Sequence, residues 1–261
     1  MTGYNDAFII DEATRDKLIS ASPKNVEIIR PILRGKDVHR YYHDKTDQWV
    51  IYVPWHFPLH CDESIKGVSV AAEEAFKKDY PDIYDYLAGH RIQLENRNKA
   101  ETGIRYEWYA LQRFGSNYWR DFDKKKIVWG NLALRGSYSF VAEGVYVNAP
   151  SAFIPSESLY LLAVLNSKLA DFYIKQLGVT RNGGYFEYKP MFVEQLPVPV
   201  GTPDIEEKFK AVVTQLLSSE DYESIKLNSE IDELVFDLFG MTTEERLAIL
   251  AFSEKSISEV Q

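Results

Sequence analysis

Between residues 160 and 199 the chain reads YLLAVLNSKLADFYIKQLGVTRNGGYFEYKPMFVEQLPVP, and this order of helix, polar turn and strand restricts the fold more than any other stretch. Leu161, Leu162, Val164, Leu165, Leu169 and Phe172 spread over a broad apolar face, which predicts a helix buried in a core. Ser156 is placed to cap its start with Glu157 in the first turn, and Gly178 to end it. Arg181, Asn182, Gly183, Gly184 and Tyr185 follow. A cation, an amide, a ring and two glycines that let backbone approach a ligand closely have the chemistry of a recognition loop. Phe186 and Tyr188 then alternate as in a strand, and Pro197 and Pro199 close the segment because proline cannot continue a ladder.

The rest of the chain predicts an α+β fold: a mixed, twisted β-sheet domain with packed helices over residues 1–200, followed by a helical segment over 201–261. A short strand at 8–10 leads to a helix capped by Asp11 and running to about Ile19, and Ser22-Pro23 opens another. Further strands are expected at 49–53, 127–129, 140–141, 145–147 and 152–154, with Gly144 as a turn residue. VSVAAEE at 68–74 reads as a flexible passage, Pro81 starts a helix, and the three-residue spacing of Trp108, Leu111 and Phe114 suggests a helical face. Beyond Pro203, Asp204 is placed to cap a helix bearing Phe209, Val212, Val213 and Leu216. A second helix ends at Gly240, and Thr242 with Glu245 forms a capping-box signature for a last one through Leu250.

Charge sharpens this division. The net charge is -9, yet residues 1–200 balance at 25 basic and 25 acidic side chains while 201–261 holds 5 against 14. The acidic helices are unsuited to phosphates and read as a clamp on the sheet domain or a face for a partner domain, whereas the first 200 residues are free to carry a local basic face. The densest basic and aromatic run is IRPILRGKDVHRYYHDK, with Arg30, Arg34, Lys36 and Arg40 around Tyr41 and Tyr42. Lys124, Lys125 and Lys126 form a second basic turn. Cys61 is the only cysteine, so no internal disulfide forms. No signal peptide or long apolar run is present, and a soluble, cytoplasmic protein without membrane contact is the expectation.

Catalytic constellations are missing from the sequence. It holds no P-loop, no G-x-S-x-G elbow, no H-E-x-x-H, and no adjacent prolines of the kind that an Asn-Pro-Pro-Tyr adenine-holding motif needs. His39 and His43, like His56 and His60, are four apart, but Pro58 interrupts the second pair and no carboxylate pattern completes a metal site.

Seven segments in order resemble one family. GYNDAFIID at 3–11, IIRPILRGKDVHRYY at 28–42, YPDIYDYLAGHRIQLENR at 80–97, KIVWGN at 126–131, YLLAVLNSKLADFYI at 160–174, FVEQLPVP at 192–199 and EIDELVFDLFGMTTEE at 230–245 resemble the TaqI-like C-terminal specificity domain of adenine-specific DNA methyltransferases and fused type IIG restriction-modification enzymes. The resemblance implies a DNA target recognition domain in residues 1–200. It also implies a parent protein whose separate catalytic domain binds S-adenosylmethionine and methylates adenine N6, with or without a fused endonuclease, so that this chain is a fragment of a longer enzyme. Double-stranded DNA and the parental methyltransferase domain are the implied partners. Arg30, Arg34, Lys36, Arg40, Lys124, Lys125 and Lys126 are the candidates for phosphates, and Arg181 and Asn182 for base edges, with Tyr185 and Tyr41 as packing residues. The competing expectation is a protein-interaction module that docks another domain or subunit without touching DNA.

Overall fold

The computed structural model describes residues 2–258. Met1 and the last three residues of the expected 201–261 segment lie outside the described residues. In chain order the strands are β1 (Ile9–Ile10), β2 (Ile29–Leu33), β3 (Trp49–Ile51), β4 (Lys126–Gly130), β5 (Leu132–Ala133), β6 (Tyr138–Val141), β7 (Tyr146–Val147), β8 (Ser151–Ile154) and β9 (Phe186–Glu187). The helices are α1 (Asn5–Phe8), α2 (Glu12–Ala21), α3 (Val70–Asp79), α4 (Pro81–Ala88), α5 (Arg91–Glu95), α6 (Leu159–Asn166), α7 (Lys168–Leu177), α8 (Pro190–Val193), α9 (Pro203–Ser219), α10 (Ile225–Leu238) and α11 (Thr243–Ser258). The α+β class expected from the sequence is the one observed. These elements divide into two compact units, one made of residues up to 33 with 45–124 and 144–148, the other of 34–44, 125–143 and 149 onward.

The first unit is built on a mixed sheet of order β1-β3-β2-β7, in which β3 runs antiparallel to both β1 and β2 while β7 joins β2 in parallel. Asp11 caps α2 by accepting the Thr14 N–H at 2.8 Å, as its position before the apolar residues predicts. Phe8, Ile51, Phe76, Ile83 and Leu87 fill the core, where the Phe76 and Tyr109 rings stack with centroids 4.5 Å apart. Two expectations fail here. Residues 70–74 are not flexible: Ser69 accepts the Ala72 N–H at 3.1 Å and starts α3, whose Ala72 and Phe76, four apart, are fully buried. Trp108, Leu111 and Phe114 do not lie on a helix. Leu111 N–H donates to the Val53 carbonyl at 2.9 Å, and the Arg97 guanidinium takes the carbonyls of Trp108 and Ala110, so that backbone is bonded to other segments instead of to itself. Arg97 also donates to the carbonyls of Leu94 and Thr2, and burial lowers its pKa to about 10.

The second unit carries an antiparallel sheet of order β6-β4-β8 and the two-stranded ribbon β5-β9. The single helix expected across 160–177 is two. Ser158, not Ser156, caps α6 by accepting the Leu161 N–H at 3.1 Å. Ser167 then ends α6 by donating to the Val164 carbonyl at 2.7 Å and starts α7 by accepting the Ala170 N–H at 3.1 Å. The neighbours of Ser167 tie this break into the unit. Asn166 pairs with the Tyr138 backbone in both directions, accepting its N–H at 3.0 Å and donating to its carbonyl at 2.9 Å. Lys168 gives its backbone N–H to Asp232 Oδ1 at 2.8 Å and its ammonium to Oδ2 at 3.2 Å, joining α7 to α10.

In the C-terminal part Thr202 caps α9 in place of the expected Asp204, because Pro203 takes the first helical position and leaves Asp204 inside the first turn. The Thr242 and Glu245 box forms, with Thr242 N–H donating to Glu245 Oε2 at 2.8 Å and Glu245 N–H to Thr242 Oγ1 at 3.3 Å. The helix it starts continues past the expected end at Leu250. No described helix is long and apolar enough to cross a membrane.

Candidate nucleic-acid interface

The polar turn at 181–185 is mounted on the β5-β9 ribbon of the second unit. Leu132 pairs with Glu187 and Ala133 with Phe186. The ladder is extended by Tyr188 N–H to the Asn131 carbonyl at 2.8 Å and by an antiparallel bridge between Thr180 and Phe186. Residues Asn182–Gly184 make one tight helical turn, in which Gly183 and Gly184 both have φ of 76°, a left-handed conformation that glycine adopts without steric cost. Arg181, Asn182 and Tyr185 are left exposed.

Glu187 organises the electrostatics. Its side chain is 8% exposed and accepts from both Arg181 and Lys189: Arg181 Nε lies 2.7 Å and Lys189 Nζ 2.8 Å from its oxygens, and the second Arg181 nitrogen closes a fork on the same oxygen. Hydrogen bonds from Lys189 and then Arg181 hold the Glu187 carboxyl below the ordinary carboxylate range. Because Arg181 commits Nε and one terminal nitrogen inward, the other terminal nitrogen has no bond to Glu187. Asn131, Leu132, Pro150, Thr180, Arg181 and Asn182, with Glu187 and Lys189, line an open cleft of about 540 Å³. The Asn131 Oδ1 oxygen is buried, with no hydrogen-bond partner among the described residues.

The segment 34–44 of the same unit borders this wall. A Cβ placed on Gly130 would lie 3.0 Å from the Gly35 carbonyl oxygen, and one placed on Gly35 3.0 Å from Ser151 Oγ, so the turn bearing Arg34 and Lys36 rests directly on the end of β4 and the start of β8. Arg34 forks onto Asp37, at 2.7 Å from Nε to Oδ2 and 3.1 Å from NH2 to Oδ1. Burial pushes the Asp37 carboxyl up, but the Arg34 bonds outweigh it and the pKa falls below its usual value. Lys36 is exposed, and Arg40 donates to the Asn166 carbonyl at 2.7 Å.

The remaining candidates separate. Lys125 is exposed and pairs with Glu157 at 3.2 Å. Tyr41, 3% exposed, and Lys126, fully buried, face inward: Tyr41 N–H donates to the Tyr138 carbonyl at 2.9 Å, and Lys126 Nζ lies 3.3 Å from the Ala142 carbonyl. Arg30 and Lys124 belong to the first unit, Arg30 donating to the Val26 carbonyl at 3.3 Å and Lys124 paired with Asp121 at 2.7 Å. The paired histidines do structural work. His56 donates its backbone N–H to the buried Glu107 at 2.7 Å with its Nδ1 2.9 Å from the same carboxylate, and His39 lies 3.1 Å from Asp44. Glu187, Lys189 and Asn131 were not among the sequence candidates. The charge alternation of Glu187 and Lys189 about buried Tyr188 is the signal that marks the first two, and no local pattern marks Asn131.

A sequence profile of the TaqI-like C-terminal specificity domain matches residues 30–198. The chain is 22% identical over 247 residues to the type II methyltransferase M.MjaIV of Methanocaldococcus jannaschii, a match that covers 90% of this chain and 75% of that protein. Among solved structures it superposes on the type IIL restriction-modification enzyme MmeI, determined in complex with DNA, with a TM-score of 0.62 and 15% identity. That match takes in 97% of this chain and 34% of MmeI, so the chain spans about a third of that enzyme's length. The type IIG restriction endonuclease BpuSI matches at a TM-score of 0.43 and 12% identity, over 87% of this chain and 28% of BpuSI.

Proposed function

Because the chain belongs to the TaqI-like C-terminal specificity domain family, we propose that it reads a short sequence in double-stranded DNA as the target recognition domain of a larger, cytoplasmic restriction-modification enzyme or adenine-N6 DNA methyltransferase. The observation that carries this reading is the exposed Arg181, Asn182 and Tyr185 turn, held on the β5-β9 ribbon with Arg181 braced by Glu187. A guanidinium braced on its inner edge is oriented before DNA arrives, so less side-chain entropy is lost when its outer edge meets a guanine. Asn182 offers an amide for an adenine edge and Tyr185 a packing surface.

Phosphate contacts from Arg30, Arg34, Lys36, Arg40, Lys124 and Lys125 would fix position without reading sequence. Buried as they are, Lys126 cannot reach a phosphate and Tyr41 cannot pack against a base from where they stand. Residues 1–200 take the reading role. The acidic segment 201–261, which phosphates repel, supports a separate role of docking against the parental catalytic domain.

Methyl transfer belongs to that other domain, which would bind S-adenosylmethionine. The cleft here does not fit the cofactor: Arg181 and Lys189 already share its one buried carboxylate, leaving none to face a sulfonium cation. Arg181→Ala, assayed on duplexes varied one position at a time, is expected to lose about 1–3 kcal/mol of discrimination at one base pair. Equal loss of affinity on every sequence would contradict a base-reading role.

A further inference from the structure

Packed against the β5-β9 ribbon is a largely buried polar cluster of Asp171, Lys175 and Tyr188, none of which is among the described residues lining the cleft. Asp171 and Lys175 stand four apart on α7, with Lys175 Nζ 2.9 Å from Asp171 Oδ2 and the Lys175 side chain only 2% exposed. The other oxygen, Asp171 Oδ1, accepts the Tyr188 hydroxyl at 2.6 Å and the Gly136 backbone N–H at 2.7 Å. Burial first, and then the Asp171 carboxylate, push the Tyr188 hydroxyl far above its ordinary pKa, so it stays protonated and donates. Tyr188 is held at its backbone as well, by Asn131 at 2.8 Å and by the Trp129 indole N–H, which donates to its carbonyl at 2.6 Å. Lys175 also sits 4.8 Å from the centroid of the Phe186 ring. The cluster therefore holds both residues that flank Glu187, Phe186 in β9 and Tyr188 just past it.

We infer that Asp171 is a positioning residue for sequence discrimination: its Oδ1, with the carboxylate's charge balanced by Lys175, anchors the end of β9 in register through Tyr188, so that Glu187 and Arg181 stand at a fixed place in the cleft. This deepens the DNA-reading proposal and rests on it. An ion pair with one partner buried is weak evidence of stability, because desolvation offsets much of the attraction, and what this one offers is a set position for the groups bonded to Asp171. Here those groups are Tyr188, which follows β9, and Gly136, in the loop after β5, so the carboxylate ties the two strands of the ribbon together.

Two neutral double variants isolate the anchor without leaving a buried charge unpaired. Asp171→Asn/Lys175→Met keeps an oxygen for Tyr188 and Gly136, while Asp171→Ala/Lys175→Met removes it. The whole chain is assayed on the duplex enriched from a random pool and on a scrambled duplex, together with amide exchange at Glu187 and Tyr188. The Ala/Met variant is expected to lower the ratio of the two affinities ~10-fold, with scrambled-duplex affinity within ~2-fold of the parent and faster exchange at both amides. The Asn/Met variant stays near the parent in every readout. Tyr188→Phe, which removes one hydroxyl, lowers the ratio ~3-fold and carries the test if the Ala/Met chain does not fold.

Equal ratios and exchange rates in the two double variants, or specific and scrambled binding falling together, would overturn the inference. If the parent chain selects no sequence, the DNA reading itself fails. Amide exchange then still decides the anchor, upheld by faster exchange in Ala/Met alone and overturned by equal rates.

Discussion

Replacing Asn166 tests how the break between α6 and α7 is locked to the sheet. Its amide pairs with the Tyr138 backbone N–H at 3.0 Å and carbonyl at 2.9 Å, at a residue 4% exposed facing one fully buried. In Asn166→Ala the Tyr138 N–H loses its acceptor in the interior, which costs about 1–3 kcal/mol. The Tyr138 carbonyl keeps the Tyr41 N–H at 2.9 Å, so the second loss is only that of one ordinary bond, about 0.5–1.5 kcal/mol. The expected destabilisation is about 2–4 kcal/mol, read as a lower urea midpoint at unchanged slope by circular dichroism. Asn166→Asp separates donor from acceptor. Its carboxylate still accepts the N–H but faces the Tyr138 carbonyl with no proton, so its pKa is raised in the folded state. The stability of this variant is lost as pH rises through that value and recovers toward the parent below about pH 4, where a protonated carboxyl donates again. An Asp variant as stable as the parent at pH 7, or an Ala variant within ~0.5 kcal/mol of it, would refute the two-way pairing as the lock.

Two further perturbations address the cleft and its rim. Gly130→Ala places a methyl 3.0 Å from the Gly35 carbonyl oxygen and 3.3 Å from Gly35 Cα, backbone that cannot swing aside. It is expected to cost about 1–3 kcal/mol as overpacking and to lower the melting temperature by several degrees, whereas an unchanged melt would show that the contact is loose. The Glu187 carboxyl, held low by Lys189 and Arg181, contributes stability above the carboxylate value of the unfolded chain and loses it as pH falls through its depressed folded value. Amide protection at Arg181 and Glu187 should therefore fall in acid in the parent but not in Glu187→Gln, and acid sensitivity shared equally by that variant would contradict the clamp.

Much of the framework was legible because it rests on local rules. Asp11 and the Thr242 and Glu245 box declare helix starts within four residues, and Ile127, Val128 and Trp129 declare a strand by their apolar run. The exposed turn at 181–185 was legible from its two glycines and its polar side chains. Longer-range features were not. Ser167 reads as one polar residue on an apolar helix until its hydroxyl is seen to end one helix and begin the next. Lys126 reads as the last member of a basic turn, yet it is the first residue of a strand whose leading four residues are buried. Asp171 and Lys175 have the spacing of an exposed ion pair, and only the packing around Lys175, the Phe186 ring included, shows that its side chain is buried. Burial of a charge depends on tertiary contacts, so spacing alone could not separate these residues from the solvated pairs elsewhere in the chain.

The most direct test of DNA reading is binding of the chain to a random pool of duplexes at two salt concentrations, with sequencing of the bound fraction. Sequence-specific recognition predicts enrichment of one short motif, with overall binding weakened at the higher salt as phosphate contacts are screened. Binding without enrichment at either salt, or no binding by the chain both alone and joined to the catalytic domain proposed for its parent, would contradict it and favour a module that docks protein instead.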